Sequence, residues 1–411
     1  MQLPERFSAL PEYAFPRLRR LLRDQPPGGP ELAMTIGEPK HPLPEIIART
    51  IAEHAGEFAL YPPNEGAPEL RLAITDWIAG RYGVALDPDT QVIALNGSRE
   101  GLFNAALALS PETKAGQRPA FLMPNPFYQV YGAAAHAVGA EPVLLPATAE
   151  TGFLPDFSRV PKAVLDRVTL CYLCSPSNPQ GAIADTAYWR DLIALAEAHD
   201  FRVLADECYS EIYRDAPPPG GLEVARALGA DPERVLIFQS LSKRSSAPGL
   251  RAGFAAGGPR AIAALRQLRA YGGAPLPLPI QRAATALWRD ETHVESNRAL
   301  YRAKFDLADE ILGGFPGYLP PRAGFFLWLD VGDGETAAAR LWRESGVRVL
   351  PGAYLGRETP GGGNPGAPYI RVALVADAPS VTRGLSAIRD ILGPGSPGTA
   401  PLNRKSEQKA E

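Results

Sequence analysis

Through the middle of the chain, short apolar runs alternate with stretches whose apolar residues recur every three or four positions. TQVIAL (90–95) is followed by REGLFNAALALS (99–110), and PAFLMP (119–124) by FYQVYGAAAHAVG (127–139) and then EPVLLP (141–146). VTLCYLC (168–174) leads to DTAYWRDLIALAEAHD (185–200), FRVLAD (201–206), RVLIFQS (234–240) and LRAGFAAG (250–257). Short continuous apolar runs read as strands buried on both faces, and the periodic stretches as amphipathic helices. The alternation predicts an α/β fold: a large domain over about residues 46–280 with a mostly parallel sheet covered by helices on both faces. In such sheets, sites form outside the carboxyl ends of the strands.

A long helical pattern, PIQRAATALWRDETHVESNRALYRAKFDLADEILGG (279–314), follows this region. Beyond it GFFLWLDV, VRVLPG and YIRVAL read as strands and TAAARLWRESG as a helix. This predicts a linking helix and a smaller α+β domain over residues 281–392, joined by the N-terminal segment 1–45. The Pro/Gly-rich and then polar tail, 393–411, has the composition of a disordered segment.

At 411 residues with 45% hydrophobic content, the chain is long enough for two or three cores. The net charge of −3 is spread among mixed charges, which argues against nucleic acid as a partner. No apolar run approaches membrane-span length, MQLPERFSAL lacks the character of a secretory leader, and three cysteines suit a reducing cytoplasm. Cys171 and Cys174 have the spacing of a metal or redox pair, but on a strand they point to opposite faces and no second pair exists. No metal is expected.

Positive charge rests mainly on arginine: of 42 Lys plus Arg, seven are lysines. Lys243 nevertheless stands between serines in SLSKRSSAPGLRAGF, with Arg251 eight positions later. An amine can lose its proton and a guanidinium cannot, so this position suits chemistry that needs a neutral nitrogen. Asn178 in SPSNPQG follows one predicted strand, and Asp206 ends another with Tyr209 three residues on. Lys243 follows a third, and Arg251 begins the next. Singly each is an ordinary turn, cap or surface residue. All four sets fall at one edge of one sheet. Arg371 within the apolar strand YIRVAL is costly unless paired, which points to an anion.

SLSKRSSAPGLRAGF, SPSNPQG, ADECYSEIY and YIRVAL together resemble the fold type I, class I/II pyridoxal-phosphate aminotransferases, over about residues 33–392. IGEPKHPLPEII, NPFYQVY and CSPSNPQGA are similar to the succinyldiaminopimelate aminotransferases of proteobacteria. The resemblance implies pyridoxal 5'-phosphate bound as an imine to Lys243, which then moves the proton at the substrate α-carbon. It implies that Asp206 pairs with the ring nitrogen, that Tyr209 and Asn178 hydrogen-bond the ring oxygen, and that Tyr128 stacks on the ring. Ser98, Arg99, Ser240, Ser242 and Arg251 would hold the phosphate, the first two as backbone N–H groups at a helix start. Tyr61 would reach that phosphate across a homodimer interface. Gly37, Asn178 and Arg371 would receive the substrate α-carboxylate, and Lys40 or Arg99 a distal one, with the loop from Tyr271 shaping the pocket.

The implied reaction exchanges an amino group between N-succinyl-LL-2,6-diaminopimelate and 2-oxoglutarate or glutamate. The same residue set also serves other amino-acid aminotransferases and carbon–sulfur β-lyases. A DNA-binding regulator built on this fold is disfavoured, because only roughly thirty residues precede MTIGEP.

Overall fold

The computed structural model describes residues 7–8, 10–359 and 361–394, so the tail beyond 394 lies outside the described residues. Twelve strands follow in chain order: β1 (Leu32–Ala33), β2 (Val92–Leu95), β3 (Ala120–Asn125), β4 (Glu141–Pro146), β5 (Val168–Cys174) and β6 (Arg202–Asp206) come first. They continue as β7 (Val235–Ser240), β8 (Gly253–Ala256), β9 (Phe326–Asp330), β10 (Val347–Arg348), β11 (Leu350–Pro351) and β12 (Tyr369–Ala373). Seven of them form one sheet in the order β2-β8-β7-β6-β5-β3-β4. Neighbours run parallel from β4 through β7, while β8 is antiparallel to both β7 and β2.

Every residue of β3, β5 and β7 is buried, which is why these strands read as unbroken apolar runs. Helices cover both faces. On one, Ile74, Trp77, Trp189, Leu192 and Leu287 pack from the helices Pro68–Tyr82, Thr186–Ala198 and Leu278–Arg289. On the other, Leu102, Ala106, Ala134 and Ile262 pack from Ser98–Leu109, Val130–Ala137 and Pro259–Gly272. At roughly 25 cal/mol per Å² of apolar surface removed from water, these two layers dominate the stabilisation of the large domain.

The smaller domain holds the antiparallel sheet β11-β12-β9 and the parallel pair β1-β10. Tyr301, Phe305, Leu341 and Leu385 close its core from the helices Thr292–Leu312, Gly334–Ser345 and Ala378–Leu392.

Three local readings are corrected. The helical pattern of 279–314 is two helices, Leu278–Arg289 and Thr292–Leu312. Asp290 breaks it by accepting the backbone N–H groups of Thr292 (3.0 Å) and His293 (3.2 Å), which caps the second helix. VRVLPG is two short strands rather than one, because β10 pairs with β1 and β11 with β12. Arg251 does not begin β8; it precedes that strand in a left-handed conformation, φ 52°, after a turn of 3-10 helix.

Cys171 and Cys174 are both buried, in separate hydrophobic clusters, and no group of metal-ligating side chains occurs among the described residues. No helix among them is long and apolar enough to cross a membrane.

Candidate active site

A cavity of about 370 Å³ opens where the carboxyl ends of β2, β5, β6 and β7 meet the smaller domain. Strand direction explains the convergence. The parallel strands deliver Asn178, Asp206 and Lys243 from their carboxyl ends. The reversed strand β8 delivers Arg251 from its amino end to the same edge.

Asp206 is the last residue of β6 and only 3% exposed. Its Oδ2 accepts the Tyr131 hydroxyl at 2.8 Å, and its Oδ1 has only a long contact from the Cys208 N–H, 3.4 Å. Burial raises its pKa, and no cation pairs with it among the described residues. Lys243 follows β7 in the short helix Leu241–Arg244, with Nζ donating to the carbonyl of Gly37. Burial, then the nearby Arg371 and Arg251, lower its pKa to about 8.

Arg371 enters from β12. Its Nη1 donates to Asn178 Oδ1 (2.8 Å) and its Nη2 to the Thr35 carbonyl (2.7 Å), while the guanidinium lies 4.2 Å from the Phe326 ring centroid. Nε is buried without a partner, and no carboxylate pairs with the group among the described residues. Burial lowers its pKa to about 10. A desolvated guanidinium held in this way awaits a planar anion. Tyr209 is buried beside it with burial raising its pKa, and it packs edge-on against Phe325 and Phe326.

At the other end Arg251 donates to the carbonyls of Pro248 (3.1 Å) and Asn96 (3.2 Å), again with no carboxylate partner. Its guanidinium lies where a side chain on Gly97 would stand, and Gly97, at φ 86°, caps the helix Ser98–Leu109. A glycine there opens a cradle between a helix start and a cation. Ser240 and Ser242 line the same end, their hydroxyls 2.9 Å apart. Tyr128 is half-buried on the wall, its hydroxyl accepting Arg99 Nε at 2.5 Å. Gly37 also lines the cavity, and a β-carbon on it would meet the Phe326 ring at 2.5 Å.

A model of the family described as aminotransferase class I and II matches residues 30–388. The chain belongs to that family. It is 33% identical over 397 residues to the LL-diaminopimelate aminotransferase of Dehalococcoides mccartyi, covering 94% of this chain and 98% of that one. A crystal structure of an aminotransferase from Neisseria meningitidis superimposes with a TM-score of 0.90 at 38% identity, covering 95% of this chain and all of the other. The probable N-succinyldiaminopimelate aminotransferase of Thermus thermophilus follows at TM-score 0.80 and 27% identity, with 92% and 100% covered.

Aminotransferases of this class use pyridoxal 5'-phosphate. The residues present fit that group. The cavity holds a buried carboxylate lacking a cation, a lysine depressed toward neutrality, and a glycine-lined helix start facing an arginine. A pyridinium edge, an aldehyde and a phosphate are the complements of these three features. Of the residues singled out in the sequence, twelve meet at this cavity. Tyr61 does not: it is wholly exposed, as is Tyr271 largely, and neither lines the cavity, nor does Lys40.

Sequence reasoning missed Tyr131, Gly97 and Cys208. Tyr131 lies in the first turn of the helix Val130–Ala137 and Tyr128 just before it, their rings edge to face at 5.7 Å, so no shared helix face marked it in the sequence. Cys208 lies two residues past Asp206 and lines the cavity only because the chain turns there.

Proposed function

We propose that this aminotransferase exchanges an amino group between N-succinyl-LL-2,6-diaminopimelate and 2-oxoglutarate or glutamate, as a cytoplasmic homodimer. The observation that carries the substrate reading is the charge of the cavity. Asp206 is the one carboxylate among the described residues lining it, against Arg99, Lys243, Arg251 and Arg371. That balance matches the second carboxylate that both candidate donors carry, so the distal nitrogen is what separates them. A free distal ammonium, as in unblocked LL-diaminopimelate, finds no acidic partner. Arg99, on the cavity wall, is the better placed of the two distal cations considered; Lys40 is exposed outside the cavity.

When bound, pyridoxal phosphate supplies an electron sink for the bonds at the substrate α-carbon. Lys243 would hold the cofactor and would carry a proton to and from that α-carbon through Nζ; its lowered pKa favours the neutral base. Asp206 holds the ring-nitrogen proton, and Tyr131 orients Asp206. Tyr209 and Asn178 would donate to the ring oxygen; Arg371 occupies Asn178 Oδ1, which leaves Nδ2 for that role. Tyr128 covers the ring face. Ser98, Arg99, Ser240, Ser242 and Arg251 would hold the phosphate, and Tyr61 of the partner subunit would complete that site. Gly37 and Arg371 receive the α-carboxylate.

The purified holoenzyme, assayed for glutamate formation from 2-oxoglutarate, tests this with a panel of donors. N-succinyl-LL-diaminopimelate is expected to give the highest kcat/KM. The name of the Dehalococcoides relative favours a second reading, in which unblocked LL-diaminopimelate is the donor, and that reading wins if the order is reversed.

A further inference from the structure

A second cavity, of about 450 Å³, lies beside the first and shares Tyr13, Arg99, Phe127, Tyr128 and Gln129 with it. Its remaining wall is mostly apolar, with Val130, Ala133, Pro142 and Leu144, and it is rimmed by His136 and Arg357. No carboxylate lines it among the described residues. We propose that this cavity takes the acyl arm of a substrate whose distal amine is blocked by a dicarboxylic acyl group, with Arg357 binding the arm's terminal carboxylate. The assignment rests on the substrate reading given above.

Arg357 is held in place before any ligand arrives. Its N–H donates to Asn125 Oδ1 (2.9 Å) and its carbonyl accepts from Asn125 Nδ2 (2.8 Å). Asn125 is the wholly buried last residue of β3, so the arginine backbone is fixed to the end of a central strand. The guanidinium lies 5.4 Å from the Phe127 ring centroid, and its Nη1 donates to the Gly356 carbonyl (2.7 Å). It has no carboxylate partner among the described residues. Burial and the neighbouring Arg17 push its pKa down, as befits a cation missing its anion. Arg17 itself is engaged, 3.6 Å from the Glu335 carboxylate and 3.9 Å from the Tyr354 ring centroid.

The shape of a succinyl group matches this lining. Its two methylenes suit the apolar wall, and its carboxylate suits a preorganised guanidinium. Gln129 on the shared wall commits Nε2 to the Tyr354 carbonyl (3.0 Å), which leaves Oε1 for an amide N–H. A free ammonium at the same place meets Arg99 and Arg357, so the cavity also discriminates by repulsion.

The test compares wild type with Arg357→Gln and Arg357→Lys, measuring kcat and KM for N-succinyl-LL-diaminopimelate and for LL-diaminopimelate, each with 2-oxoglutarate. In Arg357→Gln the ratio of the two kcat/KM values is expected to fall about tenfold against the succinylated substrate, mainly through KM. Arg357→Lys is expected to recover part of it. A ratio that stays put, whether both substrates lose activity together or neither does, overturns the acyl-arm assignment alone. A wild-type enzyme inactive on N-succinyl-LL-diaminopimelate overturns the substrate reading and this assignment with it.

Discussion

Arg371 Nη1 donates to Asn178 Oδ1 at 2.8 Å, joining β12 of the smaller domain to the loop after β5 of the larger across 193 positions of sequence. In the proposed site Arg371 would also bind the substrate α-carboxylate, and Asn178, its Oδ1 taken, would offer Nδ2 to the cofactor. This hydrogen bond would then link the cofactor and substrate subsites. Replacing Arg371 by lysine keeps the charge and loses the fork. We expect KM for glutamate and for 2-oxoglutarate to rise together, roughly 10- to 100-fold. Steady-state kinetics on both co-substrates checks this; a change confined to one of them contradicts a shared α-carboxylate role.

Lys243 is the single covalent attachment in this reading. Borohydride treatment of the holoenzyme followed by peptide mapping should place the label there. Lys243→Ala should still bind the cofactor, with turnover lower by about three orders of magnitude or more. A label on another lysine, or near-normal turnover, refutes the assignment.

The lowered pKa of that amine sets a pH dependence. Burial disfavours the charged form, so neutral Nζ dominates above about pH 8, where an unperturbed lysine needs about 10.5. The rate at which the apoenzyme captures pyridoxal phosphate should rise with pH up to about 8 and then level. Rapid-mixing absorbance between about pH 6 and 10 reads this directly, and a rate still climbing near 10 contradicts it.

Asp206→Asn removes the charge that would face the ring nitrogen and keeps the shape. The expected loss in kcat is about 10²- to 10⁴-fold, with Asp206→Glu recovering part of it. Single-turnover kinetics with glutamate separates this from weakened binding: the chemical step should slow while substrate affinity changes little.

Gly97 combines φ 86° with a β-carbon position already taken by the Arg251 guanidinium. Gly97→Ala must therefore displace Arg251 or twist the helix start. Equilibrium dialysis of the variant should show pyridoxal phosphate affinity reduced at least about tenfold. Unchanged affinity argues against a phosphate cradle at this end.

Much of this protein was legible before any coordinates. The strands β3, β5 and β7 are nearly continuous apolar runs because both faces of the sheet are buried there, and a buried run is visible without knowing its neighbours. Asn178, Asp206 and Lys243 stood out only as a set, because singly each reads as a turn, cap or surface residue while together they fall at one edge of one sheet. The split of the helix at Asp290 was not legible, because a capping carboxylate is indistinguishable from a surface one until its N–H partners are in place.

Periodicity determined the fold class and the active edge, since both follow from local burial and chain direction, while the roles of the residues gathered there came from the family resemblance. Tertiary structure alone decided how those residues are charged and paired. Tyr131 reaches Asp206 across 75 positions, and Asn125 clasps Arg357 across 232. Contacts of that kind depend on how layers pack in space, and a desolvated charge reveals whether it lacks a partner only when everything around it has been placed.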